Sequence, residues 1–264
     1  MAVAHEPPPR PLLGTYWEES RRPLAAFLFV VPMIAIYEAG LLALGPGAMR
    51  NGVDVWLRCL LQQLGFGQYF LLPVLSCGIL LGWHHVRRER WRVPSGVLYG
   101  MALESIALAW LLVALAFLEG RLADGWATSL GCAVAAAPPP GGPGPAAGSL
   151  LAFFGAGIYE ELLFRLVLLP AAMLLLQYFG VASRATRAVM AVLGTSLLFA
   201  AVHYRIDISL GSWHLATRFG DAFAWPSFLF RGFAGCFFSV LFLYRGFGIA
   251  AGTHAIYDIF VYLL

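Results

Sequence analysis

Residues 149–179 of the chain read SLLAFFGAGIYEELLFRLVLLPAAMLLLQYF, an apolar run with two adjacent glutamates and an arginine near its middle. A transmembrane helix needs about 20 mostly apolar residues, so this run is long enough to span a bilayer. Pro170 predicts a kink within it. Charged side chains inside the hydrocarbon are costly unless they are paired or face a cavity, and they therefore mark functional sites. The run predicts both a membrane-spanning helix and the place where the chemistry occurs.

The composition of the whole chain also indicates a membrane protein. Of its 264 residues, 60% are hydrophobic and only 12% are charged, and the mean hydropathy is +0.77. Soluble domains carry roughly 25% charged residues, so a soluble fold could not cover this much apolar surface. The net charge of +3 is small and spread over many loops, which argues against nucleic-acid binding. We expect an all-α polytopic membrane helical bundle, one integral membrane domain over residues 1–264, with the lipid bilayer as its partner.

Apolar runs of sufficient length predict about seven transmembrane helices, with six to eight as the range. They cover Leu24–Leu44, Phe66–Trp83, Ser95–Leu118, Ser149–Phe179, Ala188–Tyr204, Ser227–Tyr244 and Gly246–Leu264. Residues 1–23 form a polar N-terminal tail, and Asn51–Leu64 has the pattern of an amphipathic interfacial helix. Residues 133–148 are rich in Ala, Pro and Gly and predict a loop between two spans.

The arginines in the predicted loops are distributed unevenly between the two sides of the membrane. Most of them precede the first span or follow the second, fourth and sixth spans. Loops rich in basic residues stay in the cytoplasm. We therefore expect a cytoplasmic N-terminus, an outside C-terminus and a location in a bacterial inner (plasma) membrane.

Two adjacent carboxylates, Glu160 and Glu161, lie near the middle of the fourth span. Glu161 and Arg165 are four residues apart, so they share a helix face and can form an ion pair. Glu160 points about 100° away on a regular helix and has no partner on its own helix. We therefore predict that Glu160 is the titrating, catalytic group.

Two other spans contribute histidines. His203 lies near the end of the fifth span, and His254 and Asp258 are four residues apart on the seventh, so that both can face one cavity. A carboxylate and a histidine can deprotonate water, and a histidine or a protonated acid can donate to a developing oxyanion. If a divalent metal such as zinc took part, Glu160, His203 and His254 would be its ligands, but the HExxH spacing typical of zinc proteases is lacking. We favour chemistry without a metal or another cofactor.

Other polar residues in apolar runs have less obvious roles. Glu104 and Arg231 both lie mid-span, and an ion pair between them is a hypothesis. The four cysteines, Cys59, Cys77, Cys132 and Cys236, show no CxxC or zinc-finger spacing, which favours small buried residues over a disulfide or a metal site.

Three motifs in this order on successive spans resemble the CPBP family of CAAX proteases and bacteriocin-processing enzymes, the Abi or Rce1-type glutamic intramembrane proteases. The resemblance rests on an EExxxR motif, an FxxxH motif and an HxxxD motif, formed here by Glu160, Glu161 and Arg165, by Phe199 and His203, and by His254 and Asp258. It covers residues 149–264, which would form the catalytic core. The first half of the chain contains no motif of this kind.

The resemblance implies a role for each motif residue. Glu160 would act as general base on a water molecule with help from His203, and His254 and Asp258 would line the oxyanion site. Glu161 and Arg165 would orient the first motif, with Phe199 as a supporting residue. Many members carry Asn where this chain has Asp258. An Asp donates a hydrogen bond only when protonated, so Asp258 is either neutral or orients His254.

These observations predict an intramembrane endopeptidase that acts on a membrane-anchored or lipid-modified protein. Its substrate would be a CAAX-type tail or a C-terminal anchor or sorting signal. One alternative is a non-catalytic membrane chaperone or immunity protein on the same fold, which would need the cavity but not Glu160. Another is a proton-coupled transporter in which Glu104, Glu160 and His254 relay protons, although no inverted repeat supports it.

Overall fold

A computed structural model describes residues 12–45, 48–129, 146–205, 207–210, 213–216 and 220–264. The helices in this part of the chain are α1 (Leu12–Ser20), α2 (Pro23–Leu44), α3 (Gly52–Gln63), α4 (Leu71–Arg87), α5 (Ser95–Ser129), α6 (Ala146–Gly155), α7 (Leu169–Tyr178), α8 (Arg184–Ala201), α9 (Trp225–Arg245) and α10 (Phe247–Leu263). Between α6 and α7 the chain remains helical in two π-helical segments, Ala156–Glu160 and Leu162–Leu168. A small antiparallel hairpin, β1 (Asp207–Leu210) and β2 (Trp213–Ala216), connects α8 to α9.

The prediction of an all-α membrane bundle is confirmed. By length and composition, α2, α8, α9 and residues Ser95–Leu122 of α5 can each cross a membrane, and α10 is a shorter apolar helix. Large apolar side chains point outward from these and neighbouring helices, as in Leu103, Leu174, Leu197 and Leu229. An apolar exterior of this extent is stable against lipid and would not be stable in water. The chain is an integral membrane protein.

The observed helix ends differ from the predicted spans at several points. The second predicted span, Phe66–Trp83, begins later and corresponds to α4, while the amphipathic segment Asn51–Leu64 is confirmed as α3. The fifth predicted span, Ala188–Tyr204, is shifted along the chain, because α8 begins earlier, at Arg184, and ends at Ala201, after which residues 202–203 form a turn. Polar residues in this turn interrupt the apolar pattern only weakly, so the sequence does not show where the helix stops.

The structure describes part of the predicted tail 1–23 and little of the predicted loop 133–148. Helix α1 begins within the stretch predicted as the polar tail 1–23. The predicted Ala/Pro/Gly loop 133–148 lies outside the described residues, apart from residues 146–148, which begin α6. Pro170 stands in the first turn of α7, directly after the π-helical segment, where its missing N–H is tolerated.

Helix α10 occupies the centre of the bundle. Its first half, residues 247–255, is buried, because small residues let neighbouring helices approach closely. A Cβ atom on Gly248 would lie 3.0 Å from the Cα atom of Ala26, and one on Gly252 would lie 2.8 Å from the Ser105 hydroxyl. The central position of α10 brings its polar residues beside the π-helical segments.

Gly157, in the first π-helical segment, makes the closest approach to α10. A Cβ atom at this position would lie 2.5 Å from the carbonyl oxygen of Ala251 and 2.7 Å from the Cβ atom of Ala255. We expect Gly157→Ala to push the two helices apart and to lower the free energy of unfolding by about 1–3 kcal/mol, as other overpacked cores do. Thermal unfolding in detergent would measure the loss.

The matched control for this substitution is Gly194→Ala in α8, where a Cβ atom would meet nothing within 4 Å. Removing glycine from an open helix position reduces the entropy of the unfolded chain, so the control is expected to gain about 0.5–1 kcal/mol. Equal effects of the two substitutions would contradict the close packing of Gly157 against α10.

A buried polar cluster ties α1 to the bundle. Arg245, at the end of α9, binds Glu104 of α5 through Nε at 2.5 Å and Nη2 at 2.6 Å, and Tyr16 donates to the same carboxylate at 2.6 Å. The predicted pairing of Glu104 with Arg231 is therefore wrong, since Arg231 binds Asp221 at 2.5 Å instead. Both arginines lie on α9, but at opposite ends, and the sequence does not show which of them reaches the level of Glu104.

Candidate active site

The four predicted catalytic residues line one cavity of about 640 Å³, which lies between the start of α3, α6, the first π-helical segment, α8, α9 and α10. Glu160, His203, His254 and Asp258 all contribute to its wall, as do several aromatic rings: Phe153, Phe199, Phe230, Phe238, Tyr257 and Tyr262. Three motifs far apart in sequence therefore meet at one place. The volume lies in the range of ligand-binding cavities and is large enough for a short peptide segment.

A second cavity of similar size, about 660 Å³, lies at the other end of the bundle. Its wall contains arginines and glutamates such as Arg22, Glu19 and Glu89, which bind one another. None of the predicted site residues is among its lining residues. The candidate site is therefore the first cavity.

The two oxygen atoms of Glu160 have different surroundings. Oε1 accepts a hydrogen bond from the Asn51 amide at 2.8 Å. Oε2 is buried and accepts none from the described residues, although it lies 3.7 Å from Nε2 of His203 and 3.8 Å from Nε2 of His254. A buried carboxylate oxygen without a donor is costly. This atom, facing two imidazoles across a gap, is where a polar reactant fits best.

His203 lies in the turn that follows α8, which ends at Ala201. Its Nδ1 is 2.6 Å from the carbonyl oxygen of Phe199, which can only accept, so Nδ1 carries the proton. Burial lowers the pKa of His203, which favours the neutral imidazole near pH 7. Its Nε2 is then a hydrogen-bond acceptor that faces Glu160.

The tertiary structure joins Glu161 to two partners. Arg165 binds its Oε1 at 2.9 Å, as the spacing of four residues predicts, and Nδ1 of His254 lies 2.7 Å from the same oxygen. Since a carboxylate can only accept, the Nδ1 of His254 donates to it, and Nε2 is the nitrogen left to face the cavity. The ring of His254 also stacks on Phe238 with a centroid distance of 4.5 Å. The sequence did not show the contact between Glu161 and His254.

Both glutamates reach the same histidine from a largely π-helical stretch of the chain. On a regular helix Glu160 and Glu161 would point about 100° apart. A π-helical turn adds a residue to the turn and rotates the side chains that follow, a feature often found at functional sites. In the structure Glu160 approaches Nε2 of His254, and Glu161 approaches Nδ1 of the same ring.

Asp258 lies one helical turn after His254, and its Oδ2 is 3.6 Å from Nε2 of that ring. This distance is longer than a hydrogen bond, but it places a carboxylate beside the nitrogen that faces the cavity. Arg231 lines the same cavity, and its Nη1 is buried and has no hydrogen-bond partner within the described part of the chain.

Asn51 is the site residue that the sequence did not reveal. It is the residue before α3, and its Oδ1 accepts from the backbone N–H groups of Val53, at 2.9 Å, and of Asp54, at 3.4 Å. Asn before an amphipathic segment is a recognisable helix N-cap signal. Nothing local, however, indicates that its amide nitrogen reaches Glu160, which lies more than a hundred residues further along the chain.

The first turn of α3 is held in place by a buried network. Asp54 accepts from Tyr37 at 2.9 Å, from Arg50 at 3.0 Å and from Arg58 at 2.6 Å. Arg58 also binds Glu38 at 2.7 Å, and Glu38 accepts from the hydroxyl of Tyr159 at 2.8 Å. Since Tyr159 precedes Glu160, this network connects α2 and α3 to the chain that carries the glutamates.

No group of three His, Cys, Asp or Glu side chains in the described ranges has the arrangement of a metal site. Nδ1 of His254 bonds to Glu161, and the Oε1 atom of Glu160 accepts from Asn51, so Nε2 of His254 and Oε2 of Glu160 are the atoms that face the cavity. The cysteines that the structure describes, Cys59, Cys77 and Cys236, are free thiols, and Cys132 lies outside the described residues.

Comparison with known proteins finds one family that is similar to the part of the chain carrying most of the site. Residues 142–260 match the sequence model of the family described as type II CAAX prenyl endopeptidase Rce1-like. No curated protein and no solved structure matches the chain significantly. The matched residues include both glutamates, Arg165, both histidines and Asp258. Over residues 142–260, the chain is therefore similar to the type II CAAX prenyl endopeptidase Rce1-like family.

Proposed function

We propose that this protein is an intramembrane endopeptidase that hydrolyses a peptide bond with a water molecule activated by Glu160 and His203. One observation carries the proposal. The buried Oε2 atom of Glu160 accepts no hydrogen bond from the described residues and faces two imidazole nitrogens at 3.7 and 3.8 Å inside a cavity of about 640 Å³.

The first step is activation of water. Oε2 of Glu160 and Nε2 of His203 are both acceptors, so they cannot bond to each other across 3.7 Å, but each can accept one hydrogen of a shared water. The oxygen of that water attacks the carbonyl carbon of the substrate while Glu160 takes its proton. A carboxylate positioned in this way typically contributes about 10²- to 10⁴-fold to the rate.

The second step is stabilisation of the tetrahedral intermediate. His254 donates to Glu161 through Nδ1, so its Nε2, when protonated, is a donor aimed into the cavity at the developing oxyanion. The carboxylate of Asp258, 3.6 Å from this nitrogen, supports the imidazolium form. The intermediate collapses when the C–N bond breaks, and Glu160 returns its proton to the leaving amine.

The apolar residues of the cavity wall indicate which kind of substrate the site prefers. Phe153, Phe230, Val261 and Tyr262 line it together with the catalytic groups. Such a wall favours a hydrophobic or lipid-modified segment in extended form over a polar peptide. We therefore propose a membrane-anchored or lipid-modified protein substrate, either a CAAX-type tail or a C-terminal anchor segment.

The test is hydrolysis by the purified protein in proteoliposomes. The probes are two internally quenched peptides of equal length, a farnesylated peptide with a CAAX end and an unmodified peptide with a hydrophobic C-terminal segment. Reaction in H₂¹⁸O is expected to place one ¹⁸O atom in the new carboxyl terminus. Cleavage is expected to persist after dialysis against EDTA and 1,10-phenanthroline, because the proposed chemistry uses no metal.

Two results would count against the proposal. If the wild-type protein cleaves neither peptide, it is not an endopeptidase of this kind. If chelators abolish cleavage and zinc restores it, the water is activated by a metal and the mechanism above is wrong.

A further inference from the structure

The part of the chain that precedes the family match also reaches the candidate active site. Arg50, Asn51 and Gly52 line the cavity from the loop before α3. Among these, Asn51 makes a direct hydrogen bond to Glu160, from Nδ2 to Oε1 at 2.8 Å. Residues 142–260 carry the glutamate and both histidines, so this contact joins a separate part of the sequence to the catalytic group.

The orientation of the Asn51 amide follows from its other contacts. Its Oδ1 faces the backbone N–H groups of Val53 and Asp54, which can only donate. An amide nitrogen in that place would oppose two donors, so the oxygen must be there and the nitrogen must point to Glu160. Oε1 of Glu160 therefore accepts this hydrogen bond from the amide nitrogen.

The contact distinguishes the two oxygens of Glu160. Asn51 occupies Oε1 and leaves Oε2 free between His203 and His254. Without the amide, the carboxylate of Glu160 would be free to turn away from His203. One fixed hydrogen bond to a charged group typically stabilises its geometry enough to change a rate about ten- to hundredfold.

Asn51 itself is held rigidly. Its backbone N–H donates to the hydroxyl of Tyr37 at 3.3 Å, and the same hydroxyl donates to Asp54 in the first turn of α3. Asp54 is fully buried and binds both Arg50 and Arg58. The rest of α3 is largely exposed, so the buried first turn is the part that anchors the helix.

We infer that Asn51 is a positioning residue, which orients Glu160 so that Oε2 faces the catalytic water and His203. The inference rests on the proposed function. The segment before α3 would thus take part in catalysis. Glu160 would be oriented correctly only while the first turn of α3 packs against the bundle.

The test uses two substitutions that keep the N-cap of α3. Ser and Asp cap helices about as well as Asn does, but Ser is too short to reach Glu160 and Asp replaces the donor with a carboxylate. Asn51→Ser is expected to lower kcat about ten- to hundredfold with an unchanged thermal unfolding midpoint. Asn51→Asp is expected to lower kcat further, since two carboxylates would compete for one proton.

The pH profile separates positioning from a purely structural role. In Asn51→Asp the acid limb of kcat/KM is expected to move to higher pH by about one unit or more, because adjacent carboxylates do not both ionise readily. The groups that face Glu160 from the surrounding elements are unchanged in this variant: His203, His254, Asp258, Glu161, Arg165 and Arg50. Loss of a helix N-cap alone would not move the acid limb of kcat/KM. The control is Ser183→Ala, which removes the N-cap side chain of α8.

The outcomes distinguish this inference from the proposed function. All variants are assayed with the same farnesylated and unmodified peptides, beside Glu160→Gln. If Glu160→Gln is inactive but Asn51→Ser and Asn51→Asp have wild-type kcat and an unshifted acid limb, Asn51 does not position Glu160, and the inference fails alone. If Glu160→Gln cleaves as well as the wild type, the proposed function fails instead.

Discussion

Glu160→Gln is expected to cleave the farnesylated or hydrophobic peptide about 10²- to 10⁴-fold more slowly than the wild type, with the loss in kcat and little change in KM. Gln has the volume of Glu, and its amide oxygen can still accept from Asn51, so the cavity keeps its shape. The amide cannot take a proton from water, however. The rate of release of the quenched fluorophore in proteoliposomes measures the effect.

The control for this substitution removes a carboxylate far from the cavity. Glu89→Gln does so at the other end of the bundle, where Glu89 binds Arg22 and Arg87. This variant is expected to retain wild-type kcat. A Glu160→Gln protein within tenfold of the wild-type rate would exclude Glu160 as the general base.

The second large effect is expected on stability. Arg165 and Glu161 are 1% and 0% exposed, and Arg165 also donates to the carbonyl oxygen of Gly235 at 3.1 Å. Arg165→Met leaves the buried carboxylate of Glu161 without the guanidinium that pairs with it, so that only His254 still donates to it. Breaking one side of a buried pair costs about 3–5 kcal/mol, so we expect a fall of this size in the free energy of unfolding.

A double substitution tests the cause of that loss. In Arg165→Met with Glu161→Gln the unpaired charge is gone, and much of the stability is expected to return, since apolar or neutral replacements of buried pairs are often close to neutral. The carbonyl oxygen of Gly235 is not left without a donor in either variant, because Ser239 still donates to it at 2.8 Å. Activity is not expected to return, since Glu161 also orients His254.

Arg184→Met, at the exposed start of α8, is the matched control for removing an arginine, and it is expected to change the free energy of unfolding by less than about 0.5 kcal/mol. Chemical unfolding in detergent micelles measures all four proteins. Should the double variant be as unstable as Arg165→Met alone, the loss would come from packing of the Arg165 side chain against Phe199 and Phe238 rather than from charge.

Much of the architecture could be read from local patterns. The apolar runs predicted the helices that span the membrane, because a bilayer requires long apolar helices wherever the chain crosses it. The amphipathic pattern of residues 51–64 predicted α3. The ion pair of Glu161 with Arg165 also followed from a spacing of four residues, since such pairs lie on one helix face.

Contacts between helices were harder to predict. The sequence placed Glu104 and Arg231 together because both are mid-span, but depth along a helix says nothing about rotation, and Glu104 binds Arg245 and Tyr16. His203 was expected near a helix end, and the structure places it in the turn beyond α8, where Nδ1 can reach the carbonyl oxygen of Phe199.

By itself, then, the sequence determined an all-α membrane bundle and the set of ionisable residues that a bilayer tolerates only at a functional site. The tertiary structure decided how they are joined: Glu161 to His254, and Glu160 to Asn51. The physical reason is that helical periodicity defines which residues share a face, whereas contacts between distant segments depend on helix rotation and separation. Here Gly157, in the first π-helical segment, lets the chain that carries both glutamates approach α10 closely.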